Sequence, residues 1–385
     1  MAEQKLPKLT TRVRFPSPAP SSLPPPDSRV AERLMAWQVR HGRHDLPWQA
    51  IGDPYGIWVS EIMLQQTQVG AVIPYYQRFM ARFPDVATLA AADENTVLQH
   101  WSGLGYYARA RNLHRAARQV VADGQGAFPD SAVAWCALPG VGRSTAAAIV
   151  VFAYGQVQAI LDGNVKRVLT RLYALAGDLR APAFEQRLWR LAEQLLPETG
   201  IATYTQGLMD LGATVCTRRQ PRCQACPLQE ICLAFQAGNV QAYPTPRPPK
   251  VLPERSTQML LVQQQGLLLL EKRPARGIWG GLWSFPETAV GEDPAAWLLQ
   301  HQGLRGQVAE SLPLLRHGFT HYRLNIHPVC VSVTGKTAGK PSNSALHWFD
   351  VAGVAQAPVP TPVRKLLQLL GQLPVDHPHR VFGLE

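Results

Sequence analysis

Acidic residues, cysteine and long apolar runs are all scarce in this chain. Of its 385 residues, 27 are Asp or Glu against 38 Lys or Arg, a formal net charge of +11. The excess runs the whole length: 26 basic against 18 acidic residues up to position 250, and 12 against 9 beyond it. Such a balance suits a polyanionic partner, most simply nucleic acid, although a basic protein without such a partner carries the same charge. The longest apolar run, around residues 146–154, is far too short to span a bilayer. The N-terminus has charges but no apolar core of a secretory signal. The expectation is a cytoplasmic protein with no membrane partner, in a compartment where thiols stay reduced.

The few cysteines are concentrated. Four of the six stand within 17 residues as Cys216, Cys223, Cys226 and Cys232, with Pro221 and Pro227 bending the segment. A thiolate quartet in a tight loop can wrap one metal centre, either a structural zinc or a 4Fe–4S cluster, and the spacing alone does not choose between them. A pair of disulfides is the remaining alternative. Cys136 and Cys330 lie in apolar segments and read as core residues.

Composition divides the rest. Residues 1–26 hold six prolines after position 14 and read as a disordered extension. Asp27 or Ser28 caps a first helix with Val30, Leu34 and Trp37 on one side. From there to residue 237 the periodicity is helical, with runs near 57–68, 71–82, 107–122, 143–153, 164–175, 183–195 and 203–214. Residues 238–254, with five prolines, read as an extended linker. Beyond it, 258–263 and 267–272 flank a Gly266 turn as a hairpin, and Tyr322, Leu324 and Ile326 alternate as a strand. Helices at 293–300 and 362–370 complete a small α+β domain over 255–385.

Between two predicted helices lies Leu138-Pro-Gly-Val-Gly-Arg-Ser-Thr-Ala146. Gly140 and Gly142 permit a tight turn with bare N–H groups that suit a phosphate, helped by the helix N-terminus that follows. An ordinary glycine turn is the plainer reading. Twenty residues past Gly142 comes Asp162, just before another helix, which it could also cap.

A helix-hairpin-helix, then an aspartate, then this cysteine loop resembles the endonuclease III superfamily of DNA glycosylases. Within it the chain is most similar to the MutY-type adenine DNA glycosylases, through Leu46-Pro-Trp48, Trp58-Val-Ser-Glu-Ile-Met-Leu-Gln-Gln-Thr67, Trp101-Ser-Gly-Leu-Gly-Tyr-Tyr-Ala-Arg109 and Leu161-Asp-Gly-Asn-Val165. The resemblance implies a mainly α helix-hairpin-helix glycosylase domain over 27–237, carrying a 4Fe–4S loop at 216–232, followed by a smaller α+β Nudix-like domain over 255–385. It implies a monomer acting on double-stranded DNA in a bacterial-type nucleoid, excising adenine mispaired with 8-oxoguanine or guanine in base-excision repair.

Cleaving a purine N-glycosidic bond asks for two carboxyl groups in different roles. By resemblance Glu61, in an apolar setting that would favour its proton, protonates the adenine and then handles the water. Asp162, with Asn164 beside it, stabilises the cationic sugar. Ser144 occupies the hairpin slot where bifunctional relatives carry a lysine nucleophile, and serine cannot form a Schiff base. Lys166 lies outside that slot. The same resemblance makes Gln66 and Tyr106 the wedges that fill the space of an extruded base, and places Trp48, Leu64 and Gln206 along the base pocket; for Trp48 and Leu64 plain core packing is an equal reading. Arg143 joins Gly140 and Gly142 at the DNA backbone, and Arg218, Arg219 and Arg222 would meet phosphates from the cluster loop.

In the C-terminal domain Trp279-Gly-Gly-Leu-Trp-Ser-Phe-Pro286 carries the Nudix likeness. Counting from Gly281, Glu287 falls in the Nudix register, but Ala295, Ala296, Leu299 and Gln300 stand where metal-binding residues should be. The expectation is recognition without pyrophosphohydrolysis, with Phe319, Thr320 and His321 detecting the lesion base. Two rivals remain: an endonuclease III-like glycosylase and lyase on oxidised pyrimidines, and a non-catalytic cluster protein that binds DNA.

Overall fold

The computed structural model describes residues 27–49, 52–246, 248, 251–333 and 345–372. The proline-rich extension expected over 1–26 lies outside them. In chain order the helices of the first part are α1 (Arg29–His41), α2 (Pro54–Leu64), α3 (Val69–Arg82), α4 (Val86–Ala91), α5 (Glu94–Trp101), α6 (Ala108–Gly124), α7 (Ala132–Cys136), α8 (Arg143–Tyr154), α9 (Gly163–Leu172), α10 (Pro182–Gln194), α11 (Ile201–Asp210) and α12 (Leu233–Gln236). The second part carries the strands β1 (Glu254–Gln264), β2 (Leu267–Lys272), β3 (Trp283–Ser284) and β4 (Glu287–Thr288), the helix α13 (Pro294–Gln302), the strands β5 (Gly306–Ser311), β6 (Leu315–Gly318), β7 (Arg323–Val333) and β8 (Leu346–Phe349), and the helices α14 (Val351–Gln356) and α15 (Thr361–Gln372).

The helical runs expected from periodicity are present with shifted ends. The pattern hides α4, α5, α7 and α12, each too short to show a period. Both α4 and α5 start at an aspartate cap: Asp85 accepts from the Thr88 N–H at 2.7 Å and Asp93 from the Thr96 N–H at 3.0 Å. Of the two residues expected to cap the first helix, Ser28 makes no side-chain cap bond and Asp27 accepts from the Arg29 N–H at 3.0 Å.

The described residues form two compact units that do not follow the linear order. One contains those within 1–46, 131–133 and 142–248; the other those within 47–130, 134–141 and 249–385. The first half of the helical segment therefore clusters with the C-terminal part rather than with the cysteine loop.

In the first unit, α1, α8, α9, α10 and α11 bury Leu34, Val151, Val165, Leu169, Leu188, Leu191 and Leu208 together. Helices α1 and α11 pack closely enough that a Cβ at Gly207 would stand 3.0 Å from Leu34 Cγ. Beside that contact Asp210 is fully buried. It accepts from the Arg43 N–H at 2.9 Å, from the Arg43 guanidinium at 2.6 Å and from Gln206 Nε2 at 2.8 Å. Helix α11 then runs on as one π-helical turn, Leu211–Val215, that delivers Cys216. The start of the expected linker is pinned rather than loose: the Tyr243 carbonyl accepts from Arg171 at 2.9 Å and the Thr245 hydroxyl from the Gly177 N–H at 2.9 Å.

In the second unit α2 is apolar nearly all round, and Trp58 packs against Trp135 with centroids 5.7 Å apart. The C-terminal part is an eight-stranded mixed sheet in the order β3-β2-β1-β7-β5, with β4 on β1, β6 on β7 and β8 on β2. The expected hairpin is β1–β2, turned at Gln265 and Gly266, both with positive φ. The long central pair β1 and β7 is parallel, in register from Glu254 with Arg323 to Gln263 with Ser332, and buries Leu260, Val262, Val329 and Val331. Cys330 is buried, as expected. Cys136 is not: it ends α7 exposed to solvent, because Trp135 takes the buried side of that short helix.

Replacing Asp210 by alanine removes the buried acceptor of Arg43 and Gln206. It should destabilise the fold by about 3–5 kcal/mol. Urea unfolding checks this, and a loss below about 1 kcal/mol would show that the pair is dispensable.

Candidate active site

Glu61 is the one charged residue of α2. The helix starts at Pro54 with Asp53 as its cap, accepting from the Tyr55 and Gly56 N–H groups at 3.2 and 2.9 Å. The Ser60 hydroxyl donates to the Ile57 carbonyl at 2.7 Å within the helix. Six neighbours of Glu61 in α2, Tyr55, Ile57, Trp58, Val59, Ile62 and Met63, are buried hydrophobic or aromatic groups, so a half-buried carboxyl emerges from an apolar rod. Trp48 is buried edge-on against Tyr76, with centroids 5.3 Å apart, and Leu64 ends the helix half-buried.

After α2 the chain turns at Gln66 with φ 59°, and before α6 it turns at Tyr106 with φ 49°. Both expected wedges are exposed and sit in the left-handed region that non-glycine residues seldom adopt. The Arg109 guanidinium lies between the two turns. Its Nη1 donates to the carbonyls of Ile62, Met63 and Gln65 at 3.0, 2.8 and 2.5 Å. Its Nη2 donates to the Thr67 hydroxyl and the carbonyls of Leu104 and Gly105 at 3.1, 3.4 and 3.2 Å. Burial pushes its pKa down to about 10, which still leaves it cationic at neutral pH.

Within the same unit Gln66 and Tyr106 line a cavity of about 540 Å³ together with Arg111, Trp279 and the whole Phe319–Thr320–His321 segment. Phe319 is held in an aromatic cluster, its ring 5.5 Å from Trp279, 4.6 Å from His317 and 4.7 Å from Tyr322. Thr320 and His321 are exposed. Arg111 donates to the Gly280 carbonyl, and the buried Ser102 hydroxyl donates to the Val359 carbonyl at 2.8 Å while accepting from Arg364 at 2.9 Å. Glu287 pairs with Arg273 at 2.9 Å, and α13 carries Ala295, Ala296, Leu299 and Gln300.

Gly140 has φ 81°, and a Cβ there would lie 2.8 Å from Asn112 Cβ, so the turn demands glycine twice over. Gly142 caps α8 with extended backbone and open space around it. Arg143 is already engaged: its guanidinium lies 3.9 Å from the Trp189 ring centroid and pairs with Glu193. Ser144 has a structural bond, accepting the Leu161 N–H at 3.0 Å. Lys166 is bound to Glu185 at 2.5 Å.

Asp162 caps α9, accepting from the Val165 N–H at 2.8 Å and from Asn164 Nδ2 at 3.3 Å. Burial raises its pKa above the ordinary 3.8, against the lowering pull of those N–H groups and Arg167. Asn164 in turn accepts from Arg167 at 2.8 Å, and Arg167 donates to the carbonyls of Gly212 and Cys216 at 2.7 and 2.8 Å. A Cβ at Gly212 would stand 2.5 Å from Asn164 Cβ, so glycine lets the π turn approach α9. Gln206, tied to Asp210, is half-buried in the same unit.

Cys216, Cys223, Cys226 and Cys232 are free thiols around one small cavity. Among the described residues no His, Cys, Asp or Glu group is arranged to hold a single metal ion. Burial pushes the Cys226 thiol up to about 12, so the thiolate form needs positive charge beside it. Arg171 supplies some, its Nη1 3.4 Å from Cys216 Sγ while the same side chain donates to the carbonyls of Thr217, Arg218 and Tyr243. Four soft donors around a shared cavity with a guanidinium alongside fit an iron–sulfur cluster. Arg218, Arg219 and Arg222 are exposed on this loop, and Arg222 donates to the Thr214 carbonyl at 2.7 Å. The roles of Arg109, Arg167 and Arg171 were not legible in the sequence, because their acceptors are mostly backbone carbonyls, which every residue carries.

Three family models match. Residues 59–194 match the HhH-GPD superfamily of base-excision DNA repair proteins, 216–232 the iron–sulfur binding domain of endonuclease III, and 257–369 the NUDIX domain. The adenine DNA glycosylase of Buchnera aphidicola subsp. Acyrthosiphon pisum is 34% identical over 338 residues, covering 88% of this chain and 96% of its own. The human adenine DNA glycosylase is 32% identical over 410 residues, covering 89% and 74%. A thermostable thymine-DNA glycosylase structure is similar over 54% of this chain and 95% of its own, at 30% identity and a TM-score of 0.49. With HhH-GPD, iron–sulfur and NUDIX segments in one chain and full-length relatives of one activity, the chain belongs to the adenine DNA glycosylases of base-excision repair.

Proposed function

We propose that this glycosylase removes adenine opposite 8-oxoguanine, that it is monofunctional, and that its cysteine loop holds one 4Fe–4S cluster. The observation that carries the substrate reading is the 540 Å³ cavity. It has room for a purine, and both wedge turns and the Phe319–His321 loop line it. An orphaned base left in that space would meet an aromatic wall and the polar groups of Gln66, Thr320 and His321. The working form is a monomer on duplex DNA, gripped by N–H groups at the Gly140–Gly142 turn and by the cluster-loop arginines.

In this reading Glu61 gives a proton to adenine N7, so the base leaves as a neutral molecule when the C1′–N9 bond breaks. The sugar becomes cationic, and ionised Asp162 stabilises it electrostatically. Water then adds to C1′, and Glu61 recovers the proton that the water loses. Ser144 carries a hydroxyl, engaged by the Leu161 N–H, where a lyase needs an amine, and the Lys166 ammonium is bound to Glu185. An endonuclease III-like lyase is the second reading, and these two contacts weigh against it.

Four expectations follow from these assignments. Glu61→Gln should bind the duplex as tightly as the parent yet excise adenine at least ~100-fold more slowly in single turnover, with strand breaks appearing only after alkali; near-parental excision would remove Glu61 from the mechanism. Asp162→Asn should also lose excision, and its pH signature is specific. A folded-state pKa raised above the unfolded one contributes stability below about 3.8, which is lost as pH rises through the folded value. The melting temperature of Asp162→Asn relative to the parent should therefore climb with pH across that interval, while the parent's excision rate has an acid limb above the ordinary aspartate range. A flat difference would reject the buried-carboxylate account.

Phe319→Ala in the full chain should cut the preference for 8-oxoguanine over guanine opposite adenine by ~10-fold or more, and Thr320→Ala by less. Excision rates on the two duplexes give the ratio, and an unchanged ratio would move lesion recognition elsewhere. The purified protein should be yellow-brown with about four irons, and Cys226→Ser should lose iron and visible absorbance together; one zinc with no colour would end the cluster assignment.

A further inference from the structure

Arg109 is only 8% exposed, yet its guanidinium donates to two separate turns. The peptides it grips are particular ones. The Gln65 carbonyl belongs to the peptide bond entering Gln66, and the Gly105 carbonyl to the one entering Tyr106. Both following residues are non-glycine and left-handed, at φ 59° and 49°. Such backbone costs of order 1–3 kcal/mol per residue and persists only where the surroundings over-determine it. The same guanidinium satisfies the Ile62 and Met63 carbonyls at the C-terminal end of α2, the helix of Glu61, where positive charge is favoured. It also lies 5.5 Å from the Tyr106 ring centroid.

We propose that Arg109 is the positioning residue for base extrusion. By holding the peptides before Gln66 and Tyr106 in one geometry, it presents both wedges to the duplex already bent outward and fixes them relative to the helix that carries Glu61. This rests on the wedge assignment proposed above. Arg109 touches neither base nor phosphate in this scheme. Its contribution is preorganisation, since wedges that must first find their conformation lose the advantage of being placed.

The test uses the full-length protein and a duplex in which 2-aminopurine replaces the target adenine opposite 8-oxoguanine. Arg109→Lys keeps the charge but loses the planar fork that reaches both turns. It should bind DNA within about twofold of the parent, because phosphate contacts are untouched. Its iron content should match the parent's, and it should still melt in one cooperative transition, at a lower temperature because several buried carbonyls lose their donor. The rise in 2-aminopurine fluorescence on binding should be largely lost, and single-turnover excision of adenine should slow by ~10-fold or more. That deficit should shrink when the target adenine faces an abasic site, where unstacking costs less. A parental fluorescence rise, or an equal deficit on the weakened stack, would overturn the proposal. Should Arg109→Lys fail to fold, Thr67→Val removes one acceptor and should slow excision by about threefold at unchanged affinity; an unchanged rate would overturn the proposal as well. A parent protein that raises 2-aminopurine fluorescence but releases no adenine would instead sink the substrate reading and leave the positioning role standing.

Discussion

A buried guanidinium has to be satisfied in several directions at once, and in this protein that requirement organises the turns at Gln66 and Tyr106. Arg109 carries its donors into a water-poor space, where each unmet N–H would cost about 1–3 kcal/mol; its two terminal nitrogens are satisfied, and its Nε–H meets no acceptor among the described residues. Five carbonyls and one hydroxyl accept from it, and they come from the end of α2 and from two turns some forty residues apart. The local price is paid in backbone strain at Gln66 and Tyr106. Both residues then line the same cavity as the Phe319–His321 segment.

Arginines organise the other unit in the same manner. Arg171 ties the cysteine loop to α9 and to the start of the linker, through carbonyls of Thr217, Arg218 and Tyr243 and through the Cys216 sulfur. One turn away, Arg167 joins Asn164 to the carbonyls of Gly212 and Cys216, and Asn164 reaches the Asp162 carboxylate. A continuous set of hydrogen bonds thus runs from the backbone of the first cysteine to the proposed catalytic aspartate. The cysteine loop is accordingly part of what fixes the position of Asp162, whatever else it does on DNA.

The division into units is a consequence of packing rather than of chain order. The linker with its five prolines looks like the natural boundary, yet residues 47–130 cluster with the C-terminal part. Several polar contacts account for this. Ser102 bridges the Val359 carbonyl and Arg364, Lys272 donates to Asn95 at 3.0 Å, and Arg111 donates to the Gly280 carbonyl. A hydroxyl that donates and accepts while buried is a specific join, since neither partner alone satisfies it.

Much was legible from sequence because it depends on neighbours along the chain. Helical periodicity, the β1–β2 hairpin with its Gly266 turn, the glycine demanded at position 140 and the spacing of four cysteines are local properties, and the motifs around Glu61 and Asp162 identify the family. Other features depend on the whole fold. Cys136 looked like core and is exposed, because a five-residue helix has one inward position and Trp135 fills it. Arg143, expected at the DNA backbone, is stacked on Trp189 and paired with Glu193, residues some fifty positions away that the sequence does not link to it. Short helices escape a periodicity test. Arginines that bind carbonyls leave no trace in sequence, since a backbone acceptor is identical at every residue and only the tertiary structure decides which ones converge. The chain by itself determined which chemical groups are available; the fold decided which of them meet, because burial and hydrogen-bond satisfaction act between residues that sequence order keeps apart.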